Sequence, residues 1–249
     1  NKNKNEIQEL GDDTIFKIKS RKKKNKYKYF KKIIEILNQI QSIKNRNIKN
    51  FQNKKYVIEN YDKSIIIKEA NLFCDWYAKK KLPKKRIGKF VKKFNKVIKD
   101  LTSNLKLKNN VFVHRDFHVS NLILIKKKIA VIDSQDALIG NKAYDLASLI
   151  DDVRFKTSKA LKNKIYKFYI SKQKKIDKIK FKNDFEILSI LRNLKIIGIF
   201  TRLAKRDGKK NYLRLIPYAW TLIDMRINDN KLFLELKELL NQNFKIKMK

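Results

Sequence analysis

The amino-acid sequence predicts an α+β fold that is mainly helical, with one central β-hairpin and no large sheet. Three observations carry this. Most of the chain repeats its apolar residues three and four positions apart, the period of a helix with one buried face. Around residues 111–132 the pattern changes to short apolar runs broken by lysines, which reads as strands. And 43% of the 249 residues are hydrophobic, enough for a sizeable core.

The elements follow in order. Residues 1–26 are polar and basic and read as a leader ahead of a folded body over 27–249. Gly11 suggests a turn within the leader, and 17–26 reads as disordered. From Tyr27 to Ile43, Phe30, Ile33, Ile34, Ile36, Leu37 and Ile40 mark a helix. Residues 47–60 read as a loop. Ile66, Ile67, Ala70, Phe73, Trp76 and Tyr77 mark a second helix over 64–80, and Pro83 ends it. A third runs over 87–105 on Phe90, Val91, Phe94, Val97, Ile98 and Leu101. A strand is expected at Val111–Val113. Leu122–Ile125 and Ile129–Ile132, joined by three lysines, form the hairpin. Gly140 reads as a turn, and a helix begins at Tyr144. Further helices are expected over 158–171, 184–204, 211–226 and 229–241.

The formal net charge of +39 raises the question of nucleic acid or anionic membrane as partner. The excess is Lys rather than Arg, is spread along the chain and comes with abundant Asn and Ile. That is the mark of A/T-rich coding, so no specific nucleic acid is expected. A non-catalytic basic nucleic-acid-binding protein is the alternative from another class, and steep salt dependence of RNA binding would mark it. The charge should still attract anionic ligands such as nucleotide triphosphates. The single cysteine, Cys74, excludes an internal disulfide and reads as buried. No apolar run is long enough for a membrane span, and no signal peptide is present, so a cytoplasmic location is expected. The chain begins with Asn1 rather than Met, which reads as a fragment of a longer frame.

One stretch carries chemistry. His114-Arg115-Asp116-Phe117-His118-Val119-Ser120-Asn121 fits H-R-D-x-x-x-x-N, the catalytic-loop pattern of kinases. Asp116 can accept a proton from a substrate hydroxyl, and Asn121 can offer an amide oxygen to Mg²⁺. The hairpin returns the chain to its start and sets Asp133 beside Asn121 as a charged metal ligand. A lone H-R-D is a weak match, but both histidines of the chain fall inside this octapeptide, between a predicted strand and the hairpin. Five aspartates lie between Asp133 and Asp152, against one lysine, Lys142. A metal bound to phosphates is one reason for such an island. At its end, at least one of Asp151 and Asp152 reads as a solvated helix-face residue. Asp145, in a helix's first turn, reads as a brace for the loop. Arg202, Lys205, Arg206 and Gly208 form a basic turn suited to substrate or phosphate.

These residues resemble the aminoglycoside-phosphotransferase-related kinases, and within them the anomeric N-acetylmuramate/N-acetylglucosamine kinases. The resemblance rests on His114–Asn121, Ile132–Ala137, Tyr144–Leu149, Leu194–Leu203 and Lys205–Lys209, with Glu9–Asp12 similar to the segment after the hinge between two lobes. It implies the large C-terminal lobe of a protein-kinase-like fold, with ATP and Mg²⁺ as cofactors and an amino sugar of cell-wall recycling as substrate. An aminoglycoside or another small alcohol is the alternative acceptor. Asp116 would be the base, Asn121 and Asp133 the metal ligands, and His114, Arg115 and Asp145 the support. His118, Gln135, Asp136, Arg202 and Arg206 are candidate substrate contacts. Ser134 stands where the family usually has Phe. The resemblance also implies a small lobe before Asn1, carrying the phosphate-covering loop and a phosphate-binding lysine, so the chain alone is expected to be a poor kinase.

Overall fold

The computed structural model describes residues 14–15, 26–49, 53–125, 128–228 and 230–244. Helix α1 (Lys26–Ser42) buries Phe30, Ile33, Ile34 and Leu37 along one stripe. The stretch expected as loop instead contains a short antiparallel pair, β1 (Asn47–Lys49) with β2 (Lys55–Val57). All six residues are exposed, so no apolar alternation marked them as strands.

Helix α2 (Lys63–Ala70) starts at Asp62, whose carboxylate accepts the Ile65 N–H at 2.9 Å. The expected helix over 64–80 is not uniform. It widens into a π-helical stretch at Phe73–Ala78 and closes with a helical turn at Lys79–Lys81. The widening lies where Gly198 of a later helix meets it. A Cβ on Gly198 would stand 2.3 Å from the carbonyl carbon of Leu72, so only glycine permits this approach. Beyond Pro83, α3 (Lys84–Ser103) buries Phe90, Phe94, Val97, Ile98 and Leu101. Phe73 is the hub between these helices, with ring centroids 5.6 Å from Phe94, 5.7 Å from Trp220 and 5.4 Å from Phe244. Burying such a ring stabilises the fold by roughly 1.5–3 kcal/mol.

Strand β3 (Asn109–Val113) precedes the hairpin of β4 (Leu122–Ile125) and β5 (Lys128–Val131), in which Leu122 pairs with Val131. A fourth strand of this region, β6 (Leu138–Asn141), pairs antiparallel with β3. Gly140 is therefore inside a strand and not at a turn. Its missing Cβ makes room for Val113 and Tyr61, whose side-chain carbons would lie 3.0 and 3.1 Å away. Part of the expected leader packs on the hairpin: Thr14 bridges to Ile123, and Ile15 is in the core. Glu9–Asp12, Gly11 and residues 17–25 lie outside the described residues.

Every residue of α4 (Ala143–Ile150) is buried. Its end corrects the expectation for Asp151 and Asp152, which are both buried rather than solvated. Asp151 meets Lys162 at 3.2 Å and Arg226 at 2.9 Å, and accepts a hydrogen bond from Ser189 at 2.6 Å. A carboxylate leaving a buried helix can stay charged only with such partners. Helix α5 (Lys159–Ser171) is capped by Ser158. Helix α6 (Lys178–Arg206) is longer than expected, because Asp177 caps it with bonds from the N–H groups of Ile179 and Lys180. It is the spine of the fold and packs against α4, the π-helical stretch and α7 (Ile216–Ile227). The last helix is α8 (Leu234–Asn243). Among the described residues, no helix is long and apolar enough to cross a membrane. Cys74 is buried, and that burial pushes its thiol up to about 12.

Candidate active site

The octapeptide leaves β3 and turns sharply. Arg115 has a φ of 71° and Asp133 a φ of 62°. Both are left-handed conformations in non-glycine residues, which cost on the order of 1–3 kcal/mol and need support. Asp145 supplies it at Arg115. Its carboxylate accepts the His114 N–H at 2.7 Å and the Arg115 N–H at 3.0 Å. Burial pushes the Asp145 carboxyl up to about 7, against these two donors, which favour its charged form.

Hydrogen bonds then draw the candidate base Asp116 and the candidate metal ligands Asn121 and Asp133 together. The Asn121 side-chain amide donates to the Asp116 carbonyl at 3.0 Å, and the Ile132 N–H to the Asn121 carbonyl at 3.1 Å. The His114 Nε2 lies 2.9 Å from the Ile132 carbonyl. A carbonyl can only accept, so Nε2 carries the proton. Burial lowers the His114 pKa, while the charges of both Asp116 and Asp133 act on the ring to raise it. Both carboxylates therefore lie within its field, and both are exposed. With the Asn121 side-chain nitrogen donating to Asp116, its amide oxygen is the atom that could ligate a metal. An amide oxygen beside an exposed carboxylate suits a hard cation that also binds phosphate oxygens. Among the described residues no cluster of three His, Cys, Asp or Glu could hold a metal alone.

The end of the Arg115 side chain is held at two points. One guanidinium nitrogen donates to the Asp136 carbonyl at 2.9 Å, and another pairs with Glu69. Glu69 also takes Lys195 at 2.8 Å and the Tyr61 hydroxyl. Burial raises the Glu69 pKa, but Lys195, Tyr61 and Arg115 outweigh it and hold the carboxyl below its ordinary value. Asp116 shows the same balance. Desolvation opposes its charge, and Arg192, Lys195, His118 and Arg154 more than compensate, so its pKa is lowered. His118 is buried and is lowered to about 4, chiefly by that burial.

Of the other candidates, Gln135 and Asp136 lie exposed in the turn after Asp133. Arg206 pairs with Asp207 at 2.6 Å in the open. Among the described residues, no hydrogen bond or ion pair joins Arg202 or Arg206 to the Asp116 loop. Sequence reasoning missed Glu69 and Arg154, took Asp152 only as part of the acidic island, and gave no role to Arg192 or Lys195. The signal for the last two was two cations, three residues apart, inside the apolar run of α6. A cavity of about 600 Å³ lined by Tyr77, Thr201, Pro217, Trp220 and Asp224 contains no residue of the loop.

Comparison with known proteins follows the same lines. The sequence profile of the phosphotransferase enzyme family matches residues 18–172. An N-acetylmuramate/N-acetylglucosamine kinase of Neisseria meningitidis serogroup B is 34% identical over 167 residues, which cover 65% of this chain and 50% of that protein. The chain spans about half the length of the curated relatives it matches. A choline/ethanolamine kinase family protein from Mesorhizobium loti superposes with a TM-score of 0.58 at 12% identity, covering 92% of this chain and 70% of that one. An amicoumacin kinase in complex with AMP-PNP, Ca²⁺ and Ami superposes with a TM-score of 0.52 at 12% identity, covering 80% and 58%. These two likenesses are of fold: a mainly helical, protein-kinase-like lobe.

Proposed function

The chain belongs to the phosphotransferase enzyme family, and from that premise we propose that it is the large lobe of an ATP-dependent kinase acting on the anomeric hydroxyl of N-acetylmuramate or N-acetylglucosamine. The observation that carries this reading is the braced loop: Asp145 fixes the turn before Asp116, and Asn121 and the Ile132–Asp133 turn are bonded against it. The name of the relative at 34% identity supports the choice of sugar.

In this reading Asp116 orients the sugar hydroxyl and takes its proton as the oxygen attacks the γ-phosphorus. The bond from phosphorus to the bridging oxygen breaks, and ADP leaves with the electron pair. The lowered pKa of Asp116 makes it an anion at neutral pH and a weak base. That suits phosphoryl transfer, where the transition state is loose and positioning matters more than base strength. Asn121 and Asp133 would hold Mg²⁺, which when bound neutralises charge on the phosphoryl group. His118, Gln135, Asp136, Arg202 and Arg206 remain proposed substrate contacts. A cytoplasmic location belongs to the same proposal, since ATP is supplied there. The test is to purify the 249-residue chain and a version extended upstream, and to assay each with Mg-ATP and both sugars. Turnover by the extended protein, with little by the chain alone, is expected. Failure of the extended protein to phosphorylate either sugar would overturn the reading.

A further inference from the structure

The segment from Ile132 to Asp136 is held at both ends by the octapeptide. At its start, the Ile132 N–H donates to the Asn121 carbonyl at 3.1 Å, and the His114 Nε2 donates to the Ile132 carbonyl at 2.9 Å. At its end, the Arg115 guanidinium donates to the Asp136 carbonyl at 2.9 Å. Between these points lies Asp133, at its strained φ of 62°. Little else fixes the turn. Ser134, Gln135 and Asp136 are exposed, and among the described residues their side chains make no hydrogen bond or ion pair. The Ala137 N–H closes the turn locally on the Ser134 carbonyl at 3.1 Å, and β6 takes up the chain only from Leu138. An arginine free in solvent would lose much rotamer freedom in reaching one carbonyl. Arg115 has already lost it. Its guanidinium lies over the Tyr61 ring, 5.3 Å from the centroid, and pairs with Glu69 of α2. Glu69 is held from two more sides, by Lys195 of α6 at 2.8 Å and by the Tyr61 hydroxyl.

We infer that Glu69 is a positioning residue for the metal site: it fixes the Arg115 fork, and the fork holds the Asp133 turn against the Asp116 loop. The inference rests on the kinase reading above. Glu69 acts through Arg115 and not on the reacting atoms. Its charge matters as well as its shape. Arg115 and Lys195 are two cations meeting on one carboxylate oxygen, with side chains only 21% and 13% exposed. Without an anion between them they repel, and the fork swings toward solvent and away from Asp136. A hard cation binds its oxygens within narrow distances, so a looser turn weakens it even though Asp133 itself is unchanged.

The test variant is Glu69→Gln, which keeps the volume and an acceptor for Tyr61 but removes the charge. In the metal-free 249-residue chain, hydrogen exchange of the Ala137 amide should quicken by roughly 2- to 10-fold, the worth of one ordinary hydrogen bond, while the amides of α4 keep their wild-type rates. In the upstream-extended protein, the KM for Mg-ATP should rise by a similar factor and recover as free Mg²⁺ is raised, with the KM for the sugar unaltered. If Glu69→Gln does not fold, Arg115→Lys should give the same pattern, because a single ammonium cannot span Glu69 and the Asp136 carbonyl. Faster exchange throughout the chain, with a lower Tm and a loss of kcat that Mg²⁺ does not restore, marks a purely structural role and overturns the inference. Wild-type exchange at Ala137 overturns it whatever the activity. Faster exchange at Ala137 with an unaltered KM for Mg-ATP also overturns it and leaves the proposed function standing. No turnover by the extended wild-type protein overturns the kinase reading, and the metal-site role with it.

Discussion

The carboxylate of Asp145 lies 3.0 Å from the backbone nitrogen of Arg115, a residue held at a φ of 71°. The relationship joins a buried helix, α4, to the loop that carries Asp116. Without a fixed acceptor at this point, nothing local would favour the left-handed turn over an ordinary one. Asp145→Ala should leave the His114 and Arg115 N–H groups unpaired. A loss of about 2–4 kcal/mol is expected in urea unfolding of the 249-residue chain, since each buried donor left unsatisfied costs about 1–3 kcal/mol. In the upstream-extended protein kcat should fall as well. A variant with wild-type stability would show that the brace is dispensable.

Asp116→Asn should behave differently. The residue is exposed, so solvent screens the cations that lower its pKa, and only a small loss of stability is expected. In the extended protein kcat should drop by roughly 10²–10⁴-fold, the usual contribution of a general base, with the KM for ATP unaltered. Asp133→Asn should weaken Mg-ATP binding as well. Steady-state kinetics on both variants separate the two roles, and full activity in Asp116→Asn would remove Asp116 as the base.

The Asp151 network makes a prediction about pH. Burial opposes the charge on Asp151, but Arg226, Lys162 and a hydrogen bond from Ser189 hold its pKa below the ordinary value. A carboxyl lowered in the folded state stabilises it above the unfolded pKa of about 4, and that contribution fades as pH falls through the lowered value. Asp151→Asn leaves the buried Lys162 and the partly buried Arg226 without their counter-charge, for which about 3–5 kcal/mol is the expected loss at pH 7. The gap from wild type should narrow below pH 4. Urea titrations of both proteins at pH 7 and pH 3 measure it, and a gap independent of pH would contradict the assignment.

Gly198 offers a test of packing alone. Its α6 backbone lies against Leu72 and Phe73 so closely that a Cβ would stand 2.3 Å from the Leu72 carbonyl oxygen. Helix propensity alone would make Gly198→Ala stabilising by roughly 1 kcal/mol. The clash should reverse the sign, with a loss of at least about 1–3 kcal/mol as the helices separate. A higher Tm in Gly198→Ala would mean that the helices do not meet as described.

The linear sequence determined the helical class, the hairpin and the octapeptide, because each is encoded in residues close together. Phe30, Ile33, Ile34 and Leu37 declare a helical stripe within two turns, and the runs around the lysines declare two strands. The pairing of Leu122 with Val131 follows from that proximity, and with it the meeting of Asn121 and the Ile132–Asp133 turn. The sequence was silent where the partner is distant or the pattern absent. The exposed strands β1 and β2 show no alternation, and β6 was masked by a glycine whose role depends on Tyr61 and Val113. At least one of Asp151 and Asp152 read as solvated because an isolated Asp-Asp pair favours water. Only the folded chain brings Lys162, Arg226 and Ser189 to one of them and His118 and Arg154 to the other. Likewise Glu69 gains its meaning from Arg115, 46 positions away, and from Lys195. Buried charge is stable only when opposite charge and donors surround it. Those neighbours are selected by helix packing, which no local spacing in the chain records.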